Sequence, residues 1–332
     1  MLPPITHDEA QVDNYICVTL TILILACRLV ASKYQPRPFD GAFFVVVFGV
    51  VVLIGRLITT YFTLTFDTGA DAVHAAAEGL PFSDAKLSHI QEGTIFSLLN
   101  RVLETTFWWS QSVVLLLLYK RLVSHVKWSG KVIWATWGFI LISYVAVIIT
   151  IFLECTPFDR YWQVSPPPGV CNKGYKQTII QCLSNIIIDI ALIAIAIPVV
   201  FIQGRQTIQR LRIGALIALG VFCTVVTCVR LAYIFSQGSL QATRSFWAGI
   251  QIVASGFVAN APIIYGSLKL CRKEWLKSKS GTTSYAMTGI GGGAVSRDRT
   301  AKGIPDDQVN ITRTYVVTSG RKSNDGSETD LV

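Results

Sequence analysis

Residues 154–204 read ECTPFDRYWQVSPPPGVCNKGYKQTIIQCLSNIIIDIALIAIAIPVVFIQG. A short loop bracketed by Cys155 and Cys171 carries Trp162 and the rigid triplet Pro166–Pro168, and a long apolar run follows it. That run holds Asp189 near its middle and Pro198 one turn before its end. An unanswered carboxylate is expensive in hydrocarbon, so Asp189 needs a partner, a water-filled cavity or a proton. If oxidised, Cys155 and Cys171 close a loop of about 17 residues, worth roughly 3 kcal/mol in chain entropy.

Outward from this stretch, the composition places the chain in a bilayer. Hydrophobic residues make up 52% and charged residues 15%, with a mean hydropathy of +0.50. A soluble domain carries about a quarter charged residues. The net charge of +9 does not indicate a nucleic-acid partner, because the basic residues flank apolar runs instead of forming one polar patch. Membrane lipids are the partners this composition implies. Runs of roughly 20 apolar residues cross a bilayer, and seven are expected: Asn14–Ala31, Gly41–Phe66, Thr94–Tyr119, Val132–Leu153, Gln177–Ile202, Ile213–Phe235 and Phe246–Leu268. The third is interrupted by Asn100, Arg101 and Glu104. The expected fold is an all-α, seven-transmembrane bundle (14–269) between a short N-terminus (1–13) and a C-terminal tail (270–332). No transporter-type internal repeat is visible.

Met1–Asp13 is acidic and lacks the basic region of a cleaved signal, so the first span reads as an uncleaved anchor. Asp67–Gly93 reads as a polar, mostly acidic loop. Fourteen Lys and Arg residues flank one side of the spans, against five on the other (Lys86, Arg160, Lys173, Lys176 and Arg244). Positive residues stay in the cytoplasm. The expectation is therefore an extracellular N-terminus and a cytoplasmic C-terminus in the plasma membrane. On that topology Cys155 and Cys171 face the oxidising side, where a disulfide persists; the alternative is two ordinary buried thiols. The other cysteines lack metal-ligand spacing, and most read as small core residues. Cys271, beside Arg272 and Lys273, is a candidate palmitoylation site or a plain juxtamembrane cysteine.

From Ser278 the tail is polar and expected to be disordered. Its fifteen Ser and Thr residues, interleaved with Lys and Arg, suit phosphorylation or simple solubilisation. Asn310–Thr312 matches the glycosylation pattern, on the wrong side of the membrane for this topology.

Several features coincide with one family. Arg28 closes the first span, Asp40 opens the second, and LLLLYKRLV (Leu115–Val123) ends the third. CTPFDRYW (Cys155–Trp162) precedes Cys171, Asn185 and Asp189 lead to Pro198, and Arg230 lies in the sixth span. Together these resemble the fungal rhodopsin-domain family, seven-helix proteins described as pathogenicity-related and receptor-like. The likeness covers roughly residues 14–270, and the Cys-x-Pro element with its tryptophan and later cysteine is its most specific part. Members commonly open the second span with two acidic residues, whereas Gly41 follows Asp40 here. A lysine often follows the fifth span, where this chain has Arg205 and Arg210. A retinal pigment needs a lysine deep in its seventh helix; Phe246–Leu268 has none, so no retinal and no other cofactor is expected.

Arg56, Glu104 and Arg230 fall in the outer half of their spans, with Arg101 a turn above Glu104. Asp189 lies near the midplane, with Asn185 one turn away on the same face. Arg28, at its helix end, is expected to snorkel. One reading makes Arg56, Glu104, Asn185, Asp189 and Arg230 the lining of an outward-facing polar cavity. The other makes them buried ion pairs that fix helix register, with Arg56 or Arg230 answering Asp189. The arginine excess favours an anionic ligand. Asn260, Pro262 and Tyr265, in NAPIIYG, look like the helix-seven switch of other receptors with one residue inserted, or a Pro-kinked packing helix. The third span ends Tyr119-Lys120-Arg121, which gives G-protein coupling no motif support.

A receptor-like protein for an extracellular ligand, signalling to a cytoplasmic partner, is the expectation. An enzyme is not, because His7, His74, His89 and His125 all lie outside the spans and no nucleophile or phosphate loop occurs. A small-molecule or lipid transporter would use the same intramembrane charges as a relay and stands as the alternative.

Overall fold

A computed structural model describes residues 5–35, 39–66, 68–69, 84–122, 129–163, 171, 173–201, 207–237 and 239–280. Seven helices form among them: α1 (His7–Ser32), α2 (Gly41–Thr65), α3 (Asp84–Leu122), α4 (Ser129–Leu153), α5 (Tyr175–Phe201), α6 (Thr207–Ser236) and α7 (Gln241–Ser280). A 3₁₀ turn, Phe158–Tyr161, sits between α4 and α5. The tail expected to be disordered from Ser278 is helical through Ser280; the rest of it, the Asn310–Thr312 pattern and Pro166–Pro168 lie outside the described residues.

Local chemistry starts the first two helices. Thr6 caps α1, its hydroxyl accepting from the Glu9 amide while Glu9 accepts from the Thr6 amide. This reciprocal capping box satisfies two orphan donors and begins α1 at His7, ahead of the expected span. Asp40 caps α2 by accepting from the Phe43 amide at 3.0 Å. Two further limits differ from expectation. α3 begins at Asp84, inside the stretch read as an acidic loop, and α7 runs on to Ser280, past the expected end at Leu268. Polar residues end a membrane span without ending a helix, since water satisfies the side chains and the helix satisfies its own backbone.

Consecutive helices pack in a ring, α1 closing onto α7, while α3 also touches α5 and α7. Six helices hold windows long and apolar enough to cross a membrane, and α3 does not qualify. Its central position explains why it needs no such window: α2, α4, α5 and α7 pack around it and keep its polar residues from lipid, while Ile95 and Leu99 still face outward. Phe44, Val51, Ile142, Leu183 and Ile190 face outward, more than half exposed, as a lipid-facing surface should. The inner faces meet in a core that includes Leu53, Phe107, Trp108, Leu116, Val147, Ile188 and Ile252.

Arg28 departs from the expected snorkelling side chain. It is wholly buried, turns toward Ser32 on its own helix and donates to that hydroxyl. Its position faces the bundle, so the side chain has no path along the lipid surface. Nearby, the Ser267 hydroxyl of α7 donates to the Ala31 carbonyl at 3.0 Å and fastens this end of the α1–α7 seam.

The same seam depends on Gly256, where an added Cβ would lie 2.9 Å from Thr21 Cγ2. Thr21 cannot swing away freely, because its hydroxyl donates to the Cys17 carbonyl at 2.7 Å. Small residues permit this approach of transmembrane helices. Gly256→Leu should therefore cost about 1–3 kcal/mol through overpacking. Thermal unfolding in detergent should show a lower midpoint than for Gly138→Ala, a site whose Cβ would meet open space.

Candidate functional site

The polar residues of α3 recur on one helical face: Ser97, Asn100, Arg101, Glu104, Trp108, Gln111 and Ser112. All but Ser112 are at least nine-tenths buried. A helix turning this stripe into lipid would lose several kcal/mol, so the bundle must answer it from inside.

At the end carrying the cysteine loop, Cys155 and Cys171 form a disulfide with Cα atoms 5.2 Å apart. The bridge holds the segment after α4 against the start of α5. Glu154 accepts from the Lys176 amide at 2.8 Å, supplying a carboxylate to the α5 N-terminus. Anionic groups are favoured there because the first amides of a helix lack internal partners. Tyr161 is buried and donates its hydroxyl to the Ile151 carbonyl. Burial raises the Tyr161 phenol above its ordinary value, against the lowering pull of Arg101 and Arg244, and Glu154 adds to the rise. The group remains a neutral donor.

Gly174 sets the turn into α5 with φ of +67°, which a side chain rarely adopts. A Cβ there would sit 2.6 Å from Arg101 Nη1 and 2.7 Å from Arg244 Nη1. Glycine thus allows two buried guanidinium groups to approach the backbone. Arg244 donates to the Lys173 carbonyl at 3.0 Å and to Gln177 Oε1 at 3.2 Å.

Deeper in the bundle, Arg230 Nη2 lies 2.8 Å from Glu104 Oε1. The N–H does not point at that oxygen, so the contact is an ion pair without a well-aligned hydrogen bond. Arg230 Nη1 donates to Gln251 Oε1 at 2.9 Å, and Gln251 donates to the Thr227 hydroxyl at 3.1 Å. The guanidinium also lies over the Trp108 ring, 4.4 Å from its centroid. Cation–π attraction strengthens when the cation is desolvated, as it is here. Arg56 is wholly buried and donates to Asn14 Oδ1 at 2.7 Å; its Nε and Nη2 have no hydrogen-bond partner among the described residues.

Asp189 does not pair with Arg56 or Arg230, contrary to the direct pairing considered from sequence. Those arginines are engaged by Asn14 and by Glu104 and Gln251. Asp189 lies near Thr224, whose hydroxyl donates to the Gly220 carbonyl at 3.2 Å, and, with Asn185, lines a cavity of about 40 Å³. Gln111, Ser112, Thr227, Gln251 and Ser255 supply further polar wall. That volume holds a few water molecules, each needing at least about 10–15 Å³ by this measure. Water, not a base, is thus the natural answer to the carboxylate.

On the far side of the cavity, Asn260 donates to Gln111 Oε1 at 3.0 Å and to the Gly256 carbonyl at 2.8 Å. Pro262 lies inside α7 and cannot donate to Val258. Asn260 does not bond that freed Val258 carbonyl but ties the preceding turn to α3. Tyr265 is more than half exposed on the helix surface, away from Asn260. Cys271 is half-buried in the continuation of α7.

The structure therefore joins Glu104 to Arg230 and Asn185 to Asp189, and Gln251 and Thr227 link the two groups. Arg56 stands apart from this cavity with Asn14. Asn14, Trp108, Gln111, Thr227, Gln251 and Arg244 were not singled out from sequence. The α3 stripe carried a visible signal for Trp108 and Gln111, whereas Gln251 and Thr227 looked like ordinary polar residues in apolar runs.

These features define a multi-pass, all-helical membrane protein with a charged, hydrogen-bonded interior. A family model described as the fungal rhodopsin domain matches residues 28–273, and the chain belongs to that family. It is also similar to wortmanamides biosynthesis cluster protein C of Talaromyces wortmannii, at 23% identity over 136 residues. That match covers 40% of this chain and 37% of the relative, so it spans little more than a third of the relative's length. No solved structure matches the chain.

The Glu104–Arg230 pair should behave as a coupled unit. Glu104→Gln should cost about 3–5 kcal/mol by leaving Arg230 buried without its counter-charge. Adding Arg230→Met should recover part of the loss, giving a coupling of about 1–3 kcal/mol in chemical unfolding. Asp189→Asn should cost only about 1 kcal/mol or less, the worth of an ordinary hydrogen bond, because no base is stranded. A larger loss than for Glu104→Gln would refute this assignment.

Proposed function

We propose that this protein is a non-catalytic, receptor-like sensor of a small extracellular ligand bearing a carboxylate or other anionic group. The carrying observation is the polar chain from Glu104–Arg230 through Gln251 and the Asp189 cavity to Gln111 and Asn260. It joins the buried charges near the disulfide end to α7 just before Pro262. A ligand acts only through unequal affinity for two arrangements. An anion drawing on Arg230 would loosen its hold on Glu104 and Gln251, and so alter the wall shared with Asn260.

The Arg56 donors left without partners among the described residues, and Arg101 and Arg244 buried near the same end, favour a negatively charged ligand. With Arg230 these make four buried guanidinium groups, set among the described residues against three carboxylates, Glu104, Glu154 and the half-buried Asp13. The proposed orientation puts this end and the N-terminus outside the plasma membrane, with the C-terminus and a signalling partner in the cytoplasm; the lysine and arginine bias supports it. Neither retinal nor another cofactor is invoked.

The test is a thermal-shift screen of small carboxylates and their neutral amides on the full chain in detergent. An active acid at 100 times its dissociation constant should stabilise the protein by about 2.7 kcal/mol. Its amide should not, and Arg56→Gln should weaken the effect. Concentrative uptake of the same acid into proteoliposomes would overturn the sensor reading in favour of transport. A reporter fused after Val332 should be found in the cytoplasm; an extracellular signal would reverse the proposed orientation.

A further inference from the structure

A second cavity lies on the flank of the bundle. α2, α3 and α4 enclose a groove of about 1640 Å³, with Val45 and Phe48 on one wall and Trp134, Trp137 and Leu141 on the other. Its floor is α3, from Thr106 to Arg121. Two glycines of α4, Gly130 and Gly138, give it depth, since an added Cβ at either would meet nothing within 4 Å.

Its ends differ. Toward the middle of the bundle the polar groups are spent internally: the Thr106 and Tyr144 hydroxyls bond each other at 3.1 Å, and the Trp109 indole donates to the Ile140 carbonyl. The other end carries Lys120 and Arg121. Lys120 is exposed, and among the described residues nothing acidic answers it. Arg121 pairs with Asp40 but remains about half exposed, at 47%.

The length suits one lipid. Thr106 to Lys120 spans about 21 Å of helix, against about 15 Å for the hydrocarbon depth of one leaflet. A slot of that length, walled by tryptophan and aliphatic side chains, takes an acyl chain. At the headgroup level Lys120 takes the phosphate, and the exposed side of Arg121, already paired with Asp40, lies beside it.

We propose that the α2–α3–α4 groove is a specific binding site for an anionic glycerophospholipid. One acyl chain lies along α3 between Phe48 and Trp137, and the headgroup rests on Lys120 and Arg121. The charge complementarity selects the anionic lipid over a zwitterionic one; bulk annular lipid would show no such selection. The lipid would also brace the Asp40–Arg121 pair, because its headgroup covers the exposed side of Arg121. In the orientation proposed above this is the cytoplasmic leaflet, where anionic lipids concentrate, but the site itself does not depend on that orientation.

The experiment uses the full chain in detergent with added phosphatidylserine or phosphatidylcholine of identical acyl chains, bound lipid being read by native mass spectrometry. Phosphatidylserine should bind about fivefold or more tightly, the effect of one basic side chain at a lipid surface. Lys120→Gln should remove about fivefold of that preference while leaving phosphatidylcholine binding unchanged. Gly138→Leu should reduce retention of both lipids by filling the groove, with a lipid-free unfolding midpoint no lower than wild type, since leucine replaces glycine within a helix. Soluble glycerophosphoserine, which lacks acyl chains, should not displace the bound lipid. Equal binding of the two lipids, or undiminished binding by folded Gly138→Leu, would overturn the proposal.

Discussion

The placement of charge on α3 constrains everything around it. Arg101 and Glu104 sit about three and two and a half turns above the apolar run Val113–Leu118 on the same helix. A charged side chain at the centre of a bilayer costs about 2.5–3.5 kcal/mol even by insertion measurements. The helix therefore has to be surrounded, and the packing supplies α2, α4, α5 and α7 as its neighbours. Arg230 on α6 reaches Glu104 across that interior, so the ion pair also fixes the rotation of α6 about its axis. Trp108, one turn below Glu104, covers the guanidinium and excludes lipid from it.

The motif residues shared with the family are mostly fasteners between elements. Asp40 caps α2 and also pairs with Arg121, which belongs to the LLLLYKRLV segment ending α3. Two pieces that look unrelated in sequence thus close one end of the α2–α3 seam. At the opposite end, the CTPFDRYW segment contributes Cys155 to the disulfide and Tyr161 to a bond with the last turns of α4. Glu154, just before it, accepts from the first turn of α5. Capping and cross-bridging by the same short segments explain why they resist reduction to a simple hydropathy pattern.

The helices were legible because a span leaves a run of apolar residues that no loop shows, and the disulfide was legible because its two cysteines bracket a loop on one side of the membrane. Helix ends were less so. Ser88 and Glu92 read as loop residues, yet α3 passes through them, since solvent tolerates polar side chains on a helix as readily as on a coil. Among the site residues, Glu104 and Arg230 stood out because charge in a span is costly. Their pairing was not legible, since depth along a span gives no rotation about the helix axis. Gln251 and Thr227 were invisible for a different reason: neutral polar groups cost little and are common in membrane helices, and only the geometry shows that they connect Arg230 to the cavity. Arg28 was misread because its position near a helix end permits snorkelling, and the facing direction that forbids it is a tertiary fact.

Charge is handled in two ways in this interior, and the difference bears on how it would change state. Glu104 is held against a guanidinium that is itself held by Gln251 and covered by Trp108, so any movement there breaks several contacts at once. Asp189 instead lies beside Thr224 and lines a small polar cavity, where water could rearrange without loss of a protein–protein ion pair. The cavity wall includes Gln111, which receives Asn260 from the turn before Pro262, where α7 already lacks one backbone hydrogen bond. A rigid pair near the disulfide end is thereby coupled to an adaptable one beside a weakened helix. Stress applied to the rigid member is relieved most cheaply at the adaptable one, and α7 is the helix in a position to move.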